Sequence, residues 1–220
     1  MMQALKGSLV ALVTPMNPDG EIDYQSLDNL IDWHIQEGTN GIVSVGTTGE
    51  SATIDFSEHI DVISHVVKYV DKRVPVIAGA GANSTSEAVD LTLESKRIGA
   101  DYALLVTPYY NKPNQRGLIE HYTKIAESAE IPQVLYNVPS RTACDILPSS
   151  VKVLSQHINI VGIKEAVSDI ERIRELIDIS KSNDSDIILA LKLAFLKLPG
   201  MIFEILPFIV LFASLSTFFV

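Results

Sequence analysis

The residue of greatest chemical interest closes an apolar run, Ile160-Val161-Gly162-Ile163-Lys164-Glu165-Ala166. A short run of this kind, β-branched on both sides of a glycine, predicts a parallel strand buried on both faces. A lysine at that place loses hydration, which disfavours its ammonium form and leaves an amine able to attack carbonyl carbons. Taken alone, the segment fits equally well a lysine whose head reaches past the strand end into water. Its company matters more. Tyr136, in Tyr136-Asn137-Val138-Pro139, ends the preceding apolar run, one strand over, where a phenol can trade protons with a group on Lys164. Arg141 follows, with the forked geometry that holds a carboxylate. An earlier run ends in Gly46-Thr47-Thr48-Gly49, whose hydroxyls and backbone N–H groups suit a small carboxylate, and another ends in Tyr109-Tyr110-Asn111. Each has an ordinary explanation: a tight turn, a rim tyrosine, a solvated arginine. Together they form the set that imine chemistry requires. An amine captures a keto group, a phenol moves protons as carbinolamine becomes imine, and anion sites hold substrate carboxylates in line.

The elements that must position these residues recur regularly. Apolar runs of strand length begin near Ser8, Gly41, Val74, Ala103, Gln133, Ile160 and Asp186, at intervals of 26 to 33 residues. Helix-period segments separate them, so the chain reads as successive strand–helix units. Leu27, Leu30, Ile31 and Ile35 mark the first helix, with Gly38 at its stop. Asp55 with Glu58, and Ser84 with Glu87, are capping-box pairs that open two more, the second ending at Gly99. Leu118, Tyr122, Ile125 and Ala129 give a fourth, Pro148 opens a short fifth, and Ile170, Ile173 and Ile177 mark the sixth. No GxGxxG follows the first strand, and the polar residues gather at the carboxyl ends of several strands. That distribution favours a closed (β/α)8 barrel over a doubly wound sheet.

The regularity stops near Leu189, so residues 1–189 are expected to form an incomplete barrel domain and 190–220 an apolar tail with no eighth unit. An open seven-strand sheet would leave unpaired edges, and the tail reads as out-of-frame translation that would leave the chain poorly soluble or inactive. Lys192, Lys197, Glu204, Pro199 and Pro207 interrupt the tail, which argues against a membrane anchor. The net charge of −10 with no basic run argues against nucleic acid and anionic membranes. The single cysteine, Cys144, rules out an internal disulfide and fits a reducing, cytoplasmic setting. His34, His59, His65, His121 and His157 fall at no metal-ligand spacing, so no metal is expected.

At this point the sequence resembles the 4-hydroxy-tetrahydrodipicolinate (dihydrodipicolinate) synthases, in the class I pyruvate aldolase group that also holds N-acetylneuraminate lyase. The motifs are GSLVALVTP (7–15), GTTGESAT (46–53), TPYYNKP (107–113), LYNVPSRT (135–142) and GIKEA (162–166). The resemblance implies a TIM barrel that condenses pyruvate with L-aspartate 4-semialdehyde without cofactor or metal. It further implies that Lys164 carries the Schiff base and that Tyr136 moves protons, linked through Thr47 to Tyr110. Tyr110 would reach into a neighbouring subunit's site, so a homodimer, usually paired into a homotetramer, follows. Gly46, Thr47 and Thr48 match the surroundings of the pyruvate carboxylate, and Arg141 the position receiving the semialdehyde carboxylate. Arg141 also separates this reading from the lyase branch. Ser51, Ala52, His59, Asn83, Glu87 and Tyr109 match a site for the inhibitor L-lysine, although Phe56 stands where lysine-sensitive relatives often carry histidine. Another pyruvate-dependent aldolase, or an inactive or membrane-tethered fragment, are the alternatives.

Overall fold

The computed structural model describes residues 5–182, 188–192 and 209–213. Strands β1 (Ser8–Ala11), β2 (Gly41–Ser44), β3 (Val76–Gly79), β4 (Tyr102–Val106), β5 (Gln133–Asn137), β6 (Ile160–Glu165) and β7 (Ile188–Lys192) pair in sequence order, all parallel. Between them run α1 (Tyr24–Gln36), α2 (Phe56–Val70), α3 (Thr85–Arg97), α4 (Gln115–Ser128), α5 (Pro139–Thr142), α6 (Pro148–Leu154) and α7 (Ile170–Lys181). The short α5 and a 3₁₀ turn at Thr47–Gly49 have no periodicity by which the sequence would announce them. The expected caps are in place. The Asp55 carboxylate accepts the Glu58 N–H, Ser84 accepts that of Glu87, Gly38 and Gly99 take φ of 85° and 92°, and Pro148 opens α6.

The regular strand–helix alternation ends with β7, as expected, but the sheet does not stay open there. A further strand, β8 (Ile209–Ala213), pairs with β7 through Leu189↔Ile209 and with β1 through Ser8↔Leu211, and the ring closes. The expectation of no eighth strand and two bare edges is therefore corrected. The physical reason lies in IVLFA, an uncharged run of strand-forming residues, set between two edges whose backbone groups all need partners. The remainder of the tail, with the reading of it as out-of-frame sequence, lies outside the described residues. Among the described residues, no helix is long and apolar enough to cross a membrane.

Strand alternation sorts the core into two layers. Leu9, Val43, Ile77, Leu104, Val134, Tyr136 and Ala190 fill the barrel, whereas Val10, Ile42, Ala78, Leu105, Leu135, Ile163 and Leu189 pack outward under the helices. One irregularity decides where Lys164 falls. Gln133 pairs with Ile160, but Val134 pairs with Gly162, so Val161 is a bulge. Ile160 faces out and Val161 in, and beyond the bulge Ile163 faces out again. Lys164 then shares the inward face with its pairing partner Tyr136. Glycine suits position 162 because a Cβ there would lie 3.0 Å from the Ile188 carbonyl oxygen of β7.

Candidate active site

Lys164 and Tyr136 sit directly opposite each other at the carboxyl ends of β6 and β5. Both are buried, 6% and 5% exposed, so the amine lies inside the barrel and does not reach past the strand end into water. The Lys164 Nζ stands 4.2 Å from the centroid of the Tyr136 ring. Burial pushes the Tyr136 phenol above its usual range, with the charge of Glu165 adding to the rise, while the Arg141 charge and a hydrogen bond from Thr47 oppose it. A phenol held protonated and tied to a threonine hydroxyl is poised to pass a proton to or from a group on Lys164.

Thr47 and Thr48 are half-buried in the 3₁₀ turn after β2, whose entry is tightly built. Val45 adopts φ of 50°, a strained conformation for a β-branched residue. Its carbonyl presses so closely on β3 that a Cβ at Gly79 would fall 2.1 Å from it. Gly46 itself is extended, with φ of −80° and ψ of −169°, so it does not use the left-handed freedom of glycine. Gly49 is needed for contact: a Cβ would meet the Leu12 carbonyl oxygen and Thr14 Oγ1 at 3.0 Å, and the Thr14 hydroxyl donates to the Gly49 carbonyl at 2.8 Å.

Arg141 is exposed on α5, near enough to Tyr136 for its charge to act on the phenol. The turn carrying it is fixed by the buried Thr142 hydroxyl, which bonds the Cys144 carbonyl at 2.9 Å and receives the Thr107 hydroxyl at 3.2 Å. Tyr110 is the candidate that a single chain does not bring to this group. It is 88% exposed at φ of 74°, with its N–H on the Thr142 carbonyl at 3.3 Å.

The residues matched to a lysine site lie around α2, α3 and the end of β4. The Asn83 amide donates to the Tyr109 carbonyl at 3.3 Å, and burial and the nearby Glu87 charge both raise the Tyr109 phenol. Glu87 is exposed in the first turn of α3, and Ser51 and Ala52 follow the 3₁₀ turn, half-buried and exposed. His59 is buried, with Nε2 2.6 Å from the Gly79 carbonyl oxygen, and burial holds its pKa below the usual imidazole range. Phe56 is partly exposed at the start of α2.

Behind Lys164 lies a polar cluster to which sequence reasoning gave no role. Glu165, fully buried, pairs with Arg172 of α7 at 2.8 Å and receives the Asn137 amide at 3.1 Å. Arg172 also pairs with Asp145 at 2.9 Å and donates to the Ile146 carbonyl. Asn137 donates to Asp145 at 2.8 Å and accepts the Ile146 N–H at 3.2 Å. Burial raises the Glu165 carboxyl above its usual range, against the opposing pull of Arg172. The available signal was Glu165 itself, a charge in a strand read as buried on both faces, which demands a cationic partner.

A barrel of parallel strands, with an inward lysine facing a tyrosine across two strand ends, defines the class of fold and site. The chain belongs to the dihydrodipicolinate synthetase family, which it matches over residues 4–190. It is 62% identical over 174 residues to the 4-hydroxy-tetrahydrodipicolinate synthase of Stutzerimonas stutzeri, covering 79% of this chain and 60% of that one. To the enzyme of that name from Pseudomonas aeruginosa it is 60% identical over 174 residues, with the same coverage of 79% and 60%. The chain thus spans about 60% of the length of these curated relatives. Among solved structures, the dihydrodipicolinate synthase of Acinetobacter baumannii complexed with pyruvate superimposes with a TM-score of 0.82 at 50% identity, covering 86% of this chain and 64% of that one. A relative from Cyanidioschyzon merolae with lysine bound gives 0.79 at 38% identity, covering 86% and 63%.

Proposed function

We propose that this chain condenses pyruvate with L-aspartate 4-semialdehyde to 4-hydroxy-tetrahydrodipicolinate through a Schiff base on Lys164. The observation that carries the reading is the buried Lys164–Tyr136 pair at the mouth of a barrel of this family. The Lys164 amine adds to the keto carbon of pyruvate, and the carbinolamine expels water to give an imine. Tyr136 supplies and recovers the protons, with Thr47 holding the phenol. The imine accepts the electron pair left when a methyl proton departs, and the resulting enamine attacks the aldehyde carbon of the semialdehyde. Gly46, Thr47 and Thr48 hold the pyruvate carboxylate, and Arg141, exposed at the rim, takes the carboxylate of the second substrate. The covalent imine makes a cofactor or metal unnecessary.

A cytoplasmic setting, a dimer or tetramer and inhibition by L-lysine belong to the same reading. Tyr110, held outward at a strained φ, is built to enter a neighbouring copy's site, and Asn83, Glu87 and Tyr109 cluster where L-lysine would sit.

The test is borohydride reduction with pyruvate, followed by peptide mass mapping. The expected result is a pyruvate-derived adduct on Lys164; an adduct on another lysine, or none, refutes the reading. Arg141→Ala is expected to leave that adduct intact and to raise KM for the semialdehyde at least about tenfold, the loss of one charged hydrogen-bond pair. A panel including N-acetylmannosamine separates the synthase from other pyruvate aldolases.

A further inference from the structure

We propose that Glu165, Asn137 and Arg172 are positioning residues that set the spacing of Tyr136 and Lys164 from the outer face of the barrel; the inference rests on the function proposed above. The geometry is an inside–outside doublet. Tyr136 and Asn137 are consecutive on β5, Lys164 and Glu165 consecutive on β6, and both pairs are in register, Tyr136↔Lys164 and Asn137↔Glu165. Alternation turns the first pair into the barrel mouth and the second outward, under α7. On that outer face the two side chains are bonded directly, the Asn137 amide reaching both Glu165 carboxylate oxygens at 3.1 Å. The strand ends are therefore tied side chain to side chain one residue beyond the pair that does the chemistry.

The tie is anchored on three further sides. Arg172 brings in α7 by its bond to Glu165, and the same guanidinium grips Asp145 and the Ile146 carbonyl. Asn137 holds the Ile146 N–H, and Glu165 holds that of Val167 at 2.8 Å. The segment around Asp145 follows α5, so the turn that carries Arg141 is fixed by the same cluster. Stability alone does not explain such a choice. Desolvating a carboxylate and a guanidinium offsets most of their attraction, and well-packed apolar residues would hold the fold as firmly. What an apolar cluster lacks is directionality. A planar fork bonded to two carboxylates admits one arrangement, and a displacement of about 1 Å between reacting groups costs about 100-fold in rate.

The experiment compares the full chain with Glu165→Ala and Asn137→Ala, and with Glu165→Gln should the alanine variant fail to fold. Two quantities are read: the rate of borohydride-trapped imine formation as pyruvate is varied, and hydrogen exchange at the Val167 and Ile146 amides. Removal of the tie is expected to lower the saturated trapping rate about 100-fold. Half-saturating pyruvate should move less than about threefold, because Gly46, Thr47 and Thr48, which hold the pyruvate carboxylate, lie outside the cluster. Exchange at Val167 and Ile146 should rise at least about tenfold while Ile42 of β2, opposite β6 in the ring and bonded to the neighbouring Pro75 carbonyl, stays unchanged. Unchanged exchange at both amides would show that nothing is clamped and would overturn the proposal. Faster exchange with an unchanged trapping rate would also overturn it, by reducing the cluster to a structural role. If the unaltered chain traps no pyruvate, the proposed function falls, and the exchange comparison still decides whether the clamp exists.

Discussion

Replacing Gly79 by alanine puts a methyl group against the backbone that leads into Gly46-Thr47-Thr48. The added Cβ would lie 2.1 Å from the Val45 carbonyl oxygen, 2.6 Å from its carbon and 2.9 Å from the Gly46 nitrogen, where ordinary contact begins near 3.4 Å. The Val45–Gly46 peptide must therefore withdraw by more than about 1 Å, because backbone cannot rotate aside as a side-chain tip can. Val45 starts from φ of 50°, so the segment has little slack. Overpacking of this kind costs about 1–3 kcal/mol, and in a chain of this size each kcal/mol lowers Tm by about 2–4 °C. The expected fall is about 2–12 °C, accompanied by a drop of about 100-fold in pyruvate trapping as the Thr47 turn shifts. Thermal unfolding followed by circular dichroism gives the first number, and timed borohydride quenching the second. Gly46→Ala is the steric comparison for the melt. Among the described residues its Cβ would meet only the Val43 side chain, at 3.2 Å, and its φ suits any residue, so Tm should move by less than about 2 °C. A Gly79→Ala protein that melts with the unaltered chain and traps pyruvate at the same rate would refute the reasoning.

Tyr136→Phe should cost only about 1 kcal/mol, because the bonded Thr47 is half-buried and can hydrate, yet it should lower turnover by about 10²–10⁴-fold. A turnover loss under tenfold would mean that another group moves the protons. Lys164→Met is expected to abolish the borohydride adduct, read by intact-mass measurement, and an adduct persisting at the original rate would exclude this amine. His121 supplies a pH prediction. Burial lowers its pKa from 6.5 to about 4, with Nδ1 2.9 Å from the Thr85 hydroxyl. The unfolded chain then binds that proton first, so stability should fall as pH drops from about 6.5 towards 4. The loss reaches about 3 kcal/mol from this group. In denaturant titrations across that range, His121→Gln should flatten the slope, and an equally steep slope in the variant would remove His121 as its source.

Much of this arrangement was legible in the sequence because it is local and periodic. Asp55 with Glu58, Ser84 with Glu87, and Gly38 and Gly99 each announce a helix end through chemistry confined to a few residues. The strand series was readable because both faces of each strand are apolar. Lys164 and Tyr136 stood out as polar groups closing such strands. A tight turn at Thr47–Gly49 was readable from its glycines, but its 3₁₀ form and the short helix Pro139–Thr142 were hidden, since contacts with distant strands set them. The role of Glu165 was hidden as well, because its cation arrives from α7, and no spacing rule links a strand residue to a helix that packs over it. β8 was missed for a third reason. IVLFA has no turn chemistry at a unit spacing before it, and only the vacancy between β7 and β1 makes it a strand.

The bulge at Val161 makes β6 change sides partway along its length. Were the ladder to continue without offset from Gln133↔Ile160, Tyr136 would look across at Ile163, and Lys164 would point among the helices. Excising Val161 would leave every later partner in place, whereas straightening the strand with all its residues kept would swap the lining of the mouth with its upholstery at no change of composition or mean hydropathy. Among relatives of this chain, a gap of one position at the bulge is therefore compatible with the same facing pair, because the spare residue is the one the ladder does not use.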